Sequence, residues 1–423
     1  MNCHAIVIGG GPGGLLAAHT LASRNWQVTV LERATYPSAA VAGPQPRRGA
    51  PQSHCLHMLM GAGAEAFDAI VPDWRPSILR HGALPFDALQ DAAMRLPGGW
   101  LPRSASGITM YACSRTLLEN VLHEELLRYP RAQVVQASPV VGLDIRDNHV
   151  AGVHTASGTT LSAELVVDVS GTASRLPHWL ADQTGQSDAE PWPETVVASP
   201  WNYASRWFRI AGGRQPDWQC LTVAPEGNGG CAAMMLRAEE DFWNVVLLGR
   251  KGQVMPQNDV EFRAFTAPLA DGRLSAALEG ARPVTPIHHY GRTTNRLRHV
   301  EDLLGWPSGL AALGDSVLTL DPYFGLGMTN AARGAVLLAE HLDAQGSGPF
   351  DGPAYQQDLA RLNAAPWRLV TGRNTDGTPV HRKSAQLAQL YAAAPSSPDI
   401  ARAILEVQHL LRSEDSLMKG VAA

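Results

Sequence analysis

Residues 4–33, HAIVIGGGPGGLLAAHTLASRNWQVTVLER, decide the fold. A short apolar run predicts a buried strand, a segment with leucine and alanine on one face predicts a helix, and a second apolar run predicts another strand. Gly9, Gly11 and Gly14 form the pattern G-x-G-x-x-G between the first strand and the helix, and Glu32 ends the second strand. This arrangement is the fingerprint of a dinucleotide-binding βαβ unit.

Each part of this fingerprint has a physical task. The glycines let the backbone approach a pyrophosphate at a helix N-terminus, where free N–H groups and the helix dipole favour an anion. The carboxylate of Glu32 is expected to accept hydrogen bonds from ribose hydroxyls. An acid at this position disfavours a 2′-phosphate, so the sequence favours FAD or NAD over NADP.

A second informative stretch, GDSVLTLDPYFGLGMTNA, covers Gly314 to Ala331. An acid follows an apolar run, and a Pro-aromatic-Gly-x-Gly turn precedes a predicted helix. Taken alone, it is equally well explained as a Gly-Asp turn followed by a capped helix. With the N-terminal fingerprint, the chain resembles the glutathione-reductase-type FAD proteins, and within them the monooxygenases related to para-hydroxybenzoate hydroxylase.

The resemblance implies a set of cofactor contacts. Asp315 would accept hydrogen bonds from the ribityl hydroxyls, and Pro322 and Phe324 would lie beside the isoalloxazine. The N-terminus of the following helix would stabilise the charge of a reduced flavin. The cofactor-binding residues implied in this way are Gly9, Gly11, Gly14, Glu32, Arg33, Arg48, Arg115, Asp315, Pro322, Gly325, Leu326, Gly327 and Met328.

Three further segments carry the resemblance. SRTLL places Arg115 near the ribityl and phosphate region, and LVVDVSGTAS places Asp168, Gly171 and Ser174 near the pyrophosphate. RRGAPQSHCLHML, residues 47–59, resembles the R-x-G-V-P-Q-x-x-x-L-H-x-L-L segment of a bacterial oxygenase subfamily that includes polyether epoxidases. Arg48 and His57 are the catalytic candidates, although His57 is equally well explained as a structural histidine. No third ligand accompanies His54 and His57, so a metal site is not expected.

The composition of the chain argues against several classes of protein, namely nucleic-acid-binding, disulfide-rich, zinc-binding and membrane-spanning proteins. A net charge of −5 gives no basic field for nucleic acid. Five widely spaced cysteines give neither a disulfide framework nor a zinc motif, so a cytoplasmic location is expected. No apolar run is long enough for a membrane span.

The predicted fold class is α/β. A Rossmann-like FAD-binding domain (1–184 and 285–350) would carry an inserted β-sheet substrate domain (185–284) and a C-terminal helical segment (351–423). The inserted region is rich in Trp and Met, which predicts a neutral, largely apolar substrate. The rival is a carboxylate substrate held by Arg206, Arg209 or Arg237. The predicted pocket residues are Tyr203, Trp207, Met234 and Phe324.

The predicted activity is that of an FAD-dependent monooxygenase. The resemblance implies hydroxylation or epoxidation of a small organic substrate by O₂ through a flavin C4a-hydroperoxide, in secondary metabolism. NADH or NADPH would act directly or through a flavin reductase. An FAD dehydrogenase or C=C reductase is the alternative. A flavin halogenase is disfavoured because no lysine precedes Lys251, and a non-catalytic FAD-fold binding protein because the FAD motifs are intact.

Overall fold

The computed structural model describes residues 3–37, 45, 47, 51–55, 57–183, 192–210, 215–226, 230–291, 293–346, 348–380 and 384–420. The predicted site residue Arg48 lies outside these ranges. Within them, no helix combines the length and the apolar character that a membrane crossing requires.

The strands of the described chain, in sequence order, are β1 (His4–Ile8), β2 (Gln27–Leu31), β3 (Leu84–Asp87), β4 (Ala92–Leu96), β5 (Gly99–Trp100), β6 (Thr109–Ala112), β7 (Ala132–Val135), β8 (Val140–Arg146), β9 (His149–Thr155), β10 (Thr160–Ser162), β11 (Leu165–Asp168), β12 (Glu194–Ala198), β13 (Trp201–Arg209), β14 (Cys220–Val223), β15 (Ala232–Arg237), β16 (Phe242–Arg250), β17 (Arg282–Pro283), β18 (His288–Tyr290), β19 (Thr294–Arg298), β20 (Leu310–Ala312) and β21 (Leu318–Thr319).

The α-helices of the described chain are α1 (Pro12–Ala22), α2 (Gly61–Ile70), α3 (Trp74–Arg80), α4 (Arg115–Leu126), α5 (Leu176–Gln183), α6 (Asp259–Thr266), α7 (Arg273–Ala277), α8 (Leu326–Ala344), α9 (Gly352–Thr371), α10 (Ser384–Ala393), α11 (Pro398–Gln408) and α12 (Glu414–Gly420).

A parallel five-stranded sheet forms the first layer, in the order β20-β11-β1-β2-β7. Its central strands are buried on both faces, which explains their continuous apolar sequences. Helices α1 and α8 pack against each other, and α1 also packs against α4. Between β7 and β11 the chain forms the antiparallel sheet β10-β9-β8, as the alternating sequence predicts. The α/β class with a Rossmann-like unit is confirmed.

The largest sheet has the order β17-β13-β16-β15-β14-β4-β5, with β18 also paired to β13. Strands β4, β5 and β18 lie outside the range 185–284, so this sheet draws on more of the chain than that predicted domain. One face packs on α6 and α7 through Phe208, Phe262 and Leu274. The opposite face carries Tyr203 and Leu248 and lines the same cavity as the carboxyl ends of the parallel strands.

Two buried histidines lie in the packed interior. His19 on α1 contacts the carbonyl of Leu122 through Nε2 at 2.9 Å, and His409, after α11, accepts the Gly61 N–H at Nδ1 at 2.9 Å. Burial lowers the pKa of each ring to about 4, with the Leu122 contact acting in the opposite direction for His19. Both rings are therefore neutral at pH 7.

The free energy of unfolding should decrease as the pH falls from 6.5 toward 4. A histidine with a lowered folded pKa takes up its proton more readily in the unfolded chain, so acid favours unfolding. Each ring should contribute a loss of about 2 kcal/mol between pH 7 and pH 5. Urea unfolding at the two pH values measures the effect. His409→Asn keeps an acceptor near the Gly61 N–H without a titratable ring and should reduce the pH dependence; an unchanged dependence would contradict the assignment.

Candidate active site

A cavity of about 810 Å³ opens at the carboxyl edge of the parallel sheet. The residues that follow β1, β2, β11 and β20 form one side of it, which is where ligands bind in open α/β sheets. The turn before α8 and one face of the large sheet form the rest. The cavity lining includes the predicted residues Gly9, Gly11, Glu32, Arg33, His57, Arg115, Tyr203, Met234, Asp315, Pro322, Gly325, Gly327 and Met328.

The glycine turn is built by close contacts. Gly9 has φ +104°, and a Cβ there would lie 2.5 Å from the Val169 carbonyl oxygen. A Cβ on Gly14 would lie 1.9 Å from the carbonyl oxygen of Gly9, so only glycine permits α1 to begin this close to β1. A Cβ on Gly11 would be 3.5 Å from Arg115 Nη2 and 3.7 Å from Arg47 Nη2. The turn therefore faces two guanidinium groups across a space bounded by backbone, as a pyrophosphate requires.

Glu32 lies at the end of β2 and is buried. Its Oε2 accepts the Gly10 N–H at 2.7 Å, and its Oε1 accepts the Ala34 N–H at 2.8 Å. Arg47 Nη1 lies 3.1 Å from Oε2. These contacts fix the carboxylate at the cavity wall.

A chain of alternating charges continues from Glu32. Arg47 Nε lies 3.1 Å from Glu119 Oε2, and Arg115 Nε donates to Glu119 Oε1 at 2.7 Å. Arg47 is only 8% exposed, and burial alone would lower its pKa, but Glu119 and Glu32 outweigh burial and raise it. Two buried acids and two arginines thus form one network, which we call the Glu32–Arg115 network.

His57 ends this network as a neutral acceptor. Its Nδ1 contacts the Cys55 carbonyl oxygen at 2.9 Å, so Nδ1 must carry the proton and Nε2 must accept from Arg115 Nη1 at 3.3 Å. Burial and then the charge of Arg115 lower the pKa of His57 to about 3. Of the catalytic and structural roles predicted for His57, this geometry favours a structural one, in which the neutral ring accepts from Arg115 and so orients it.

Asp315 lies between the dinucleotide end and the large sheet. Its carboxylate faces the cavity, and no hydrogen bond to that carboxylate is found within the described chain. Burial raises its pKa, which Arg115 partly offsets. The N-terminus of α8 begins beside it, since a Cβ on Gly327 would lie 3.7 Å from Asp315 Oδ1. A carboxylate with free acceptor capacity next to a helix N-terminus fits the ribityl chain and the flavin ring, so the residues present fit FAD.

The large sheet contributes an uncharged wall. Tyr203, Met234, Val246, Leu248 and Tyr290 line this part of the cavity. Tyr323, in the turn before α8, lines it from the opposite side.

Four predicted residues lie elsewhere. Trp207 packs against Ala238 and Phe242 in a separate cluster. Phe324 and Leu326 pack into the core formed with the C-terminal helices, and Phe324 meets Tyr323 edge-on. Gly14 lies in α1 against the Gly9 carbonyl oxygen, outside the cavity lining.

Arg47, Tyr290 and Tyr323 line the cavity but were not chosen from the sequence. The sequence could have indicated Arg47. When the motif R-x-G-V-P-Q is aligned on Gly49, Pro51 and Gln52, its arginine falls on Arg47 and not on Arg48. No comparable signal marks the two tyrosines.

Arg47→Met should lower the free energy of unfolding by about 3 kcal/mol or more, because it leaves Glu32 and Glu119 buried without their shared cation. Arg47→Met combined with Glu119→Gln should recover part of this loss. Arg24→Met, which breaks the exposed pair with Asp343, is the matched control and should cost under about 1 kcal/mol. Urea unfolding measures all three, and equal losses for Arg47→Met and Arg24→Met would contradict the network.

Comparison with known proteins agrees with this geometry. The family described as an NAD(P)-binding Rossmann-like domain matches residues 7–70. Protein Rv3254 of Mycobacterium tuberculosis is 29% identical over 378 residues, covering 86% of this chain and 76% of the relative. Kynurenine 3-monooxygenase of Salinispora arenicola is 24% identical over 360 residues, covering 80% and 72%.

Solved structures share the whole architecture. PqsL, "a probable FAD-dependent monooxygenase from Pseudomonas aeruginosa", superposes with a TM-score of 0.64 at 16% identity, covering 95% of this chain and 98% of that one. The flavin-dependent brominase Bmp2 gives a TM-score of 0.67 at 14% identity, covering 96% and 93%. The chain therefore has the fold of flavin-dependent oxygenases and halogenases of the para-hydroxybenzoate hydroxylase type.

Proposed function

We propose that this protein is an FAD-dependent monooxygenase acting on a neutral, largely apolar small organic molecule. One observation carries the proposal. A single cavity joins a dinucleotide cradle at Gly9 and Glu32 to the uncharged wall at Tyr203, with Asp315 and the N-terminus of α8 between them. Cofactor and substrate would therefore meet in one enclosed space.

The described residues assign a part of FAD to each region. The glycine turn, Arg47 and Arg115 would hold the pyrophosphate, Glu32 the adenosine ribose and Asp315 the ribityl hydroxyls. Bound FAD, once reduced, would supply the reaction with O₂. The N-terminus of α8 would stabilise negative charge on the reduced ring, and the aromatic wall would exclude water.

The substrate class follows from where the arginines lie. Arg206 pairs with Asp259, Arg209 with Glu240 and Arg237 with Asp241, and none of the three lines the cavity. The wall contributed by the large sheet offers apolar surface and tyrosine hydroxyls instead. Arg296 on β19 does line the cavity, but its Nε lies 3.4 Å from Glu194 Oε2. This arrangement favours a neutral substrate over a carboxylate held by Arg206, Arg209 or Arg237.

Halogenation is the second candidate, because Bmp2 shares the fold. The resemblance requires a lysine beside the flavin tunnel for that chemistry. Within the described residues no lysine lines the cavity, and Lys251 lies on an exposed turn. We therefore rank oxygenation above halogenation.

The reductant, the location and the reaction type extend the same proposal. NADH or NADPH would reduce the flavin directly or through a flavin reductase. We place the reaction in the cytoplasm, on the basis of the odd number of widely spaced cysteines.

Anaerobic mixing with NADH or NADPH, with the flavin absorbance followed near 450 nm with and without candidate substrates, tests direct reduction of the flavin. Oxygen-18 from O₂ in the product supports a monooxygenase; product formation without O₂ would support the dehydrogenase alternative.

Asp315→Asn should weaken FAD binding by roughly tenfold or more, because the ribityl hydroxyls lose a charged acceptor. The purified protein should be yellow and should release its FAD on acid precipitation. Asp217→Asn, at an exposed acid paired with Arg103, is the control and should bind FAD as the parent does. Fluorescence titration of apoprotein with FAD measures both. Equal affinity for the two variants would contradict the assignment of Asp315.

Arg206→Ala and Arg237→Ala should each change KM by less than about threefold, because both side chains lie outside the cavity. Met234→Arg should raise KM by at least about tenfold, since it buries an unpaired charge against the substrate. Steady-state kinetics on FAD-loaded protein with an identified substrate provides the measurement. A rise of two orders of magnitude on removing one arginine would favour a carboxylate substrate and overturn the neutral one.

A further inference from the structure

Asp321 is a buried acid that the proposed function does not use. It is 3% exposed and stands between Leu320 and Pro322, which both line the cavity. Its Oδ1 accepts the Tyr323 N–H at 2.9 Å and caps the short turn Pro322–Phe324. Its backbone N–H donates to Asn295 Oδ1 at 2.7 Å. Asp321 therefore holds the turn that would lie against the flavin.

The same carboxylate is joined to the substrate wall. The hydroxyl of Tyr203, near the start of β13, donates to Asp321 Oδ1. Burial and then Asp321 raise the pKa of Tyr203, which keeps the hydroxyl protonated and able to donate. Tyr203 is itself 4% exposed and lines the cavity. One carboxylate oxygen thus connects the flavin-side turn to the sheet that would hold the substrate.

The second carboxylate oxygen of Asp321 accepts no hydrogen bond from the described residues. Oδ2 is buried and has no hydrogen-bond partner among the described residues, and no cation forms an ion pair with Asp321 there. As a carboxylate, Asp321 has no cation among the described residues to offset its charge, and little water surrounds it to screen its field. Within the part of the chain that the structure describes, Tyr203 is the side chain that donates to this carboxylate.

We propose that Asp321, moderated by Tyr203, sets the reduction potential of the flavin bound in this cavity. The inference rests on the proposed function, because it requires FAD in the cavity. A negative charge beside the ring opposes the gain of electrons and lowers the potential. The Tyr203 hydroxyl withdraws part of that charge and so raises the potential again. Both residues act as positioning and tuning groups without touching the reacting atoms.

The two residues should therefore shift the potential in opposite directions. Asp321→Asn removes the charge and should raise the midpoint potential of bound FAD. Tyr203→Phe removes the donor, leaves the charge less compensated, and should lower the potential. A purely structural role predicts another pattern, in which both variants loosen the site and shift the potential in the same direction.

Tyr355→Phe is a matched control for the loss of a buried tyrosine hydrogen bond. Its hydroxyl donates to the Gly334 carbonyl at 3.0 Å in the packing of α9 on α8, outside the cavity lining. It should lower Tm as Tyr203→Phe does, and it should leave the potential unchanged.

The experiment is a spectroelectrochemical titration of FAD-loaded parent, Asp321→Asn, Tyr203→Phe and Tyr355→Phe proteins, with Tm and FAD affinity measured on each. Opposite shifts for the first two variants, and none for the control, support the proposal. Shifts of the same sign, or no shift, overturn it while leaving the proposed function intact. If Asp321→Asn does not fold, the comparison of Tyr203→Phe with Tyr355→Phe decides: equal potentials overturn the proposal. Parent protein that binds no FAD would overturn the proposed function itself.

Discussion

The close approach of the first strand, the first helix and β11 is the constraint on which the rest of the site depends. The carbonyl oxygen of Gly9 occupies the space where a Cβ of residue 14 would be, and the Val169 carbonyl occupies the corresponding space at Gly9. Both contacts fail with any side chain larger than hydrogen. Because they hold, α1 begins directly at the carboxyl edge of the sheet, and its free N–H groups face the cavity. Glu32 follows β2 and Asp315 follows β20, two parallel strands separated by β11 and β1, so both acids lie at the same carboxyl edge of the sheet.

The buried charged side chains around the cavity have two kinds of surroundings. In the Glu32–Arg115 network, acids and arginines alternate, so each charge has a partner of opposite sign and the cost of desolvation is offset. At the other end of the cavity, the donors to the Asp321 carboxylate found among the described residues are neutral, namely the Tyr203 hydroxyl and the Tyr323 N–H. The dinucleotide end thus carries positive groups that suit a pyrophosphate, while the large sheet lines the cavity with uncharged side chains and has one acid behind them.

Local pattern was sufficient for much of this structure. The fingerprint at 4–33 predicted β1, α1 and β2, because strand, turn and helix lie next to each other in the chain and their contacts are local. The helix beginning at Leu326 and the Ser397 cap of α11 follow from equally local signals. The pairing of Glu32 with Arg47 could not be predicted in this way. Arg47 belongs to a Pro- and Gly-rich segment, and such a segment has no periodic pattern from which contacts could be predicted.

The substrate wall shows where sequence reasoning ends. Alternation along β13 correctly groups Tyr203 with Trp207 on one face, opposite Ala204 and Phe208. It does not say how far along that face the cavity extends, and Trp207, four residues further along β13 on the same face, packs against Phe242 instead. The turn before α8 meets the sheet at Tyr203, where the Tyr203 hydroxyl donates to Asp321, which is 118 residues away in sequence. A contact of that separation is a product of tertiary packing, since the hydroxyl of Tyr203 and the carboxylate of Asp321 become neighbours only when the large sheet and the turn before α8 pack together. The substrate pocket is therefore formed jointly by β13 and the turn before α8. The sequence of neither segment alone predicts which residues line it.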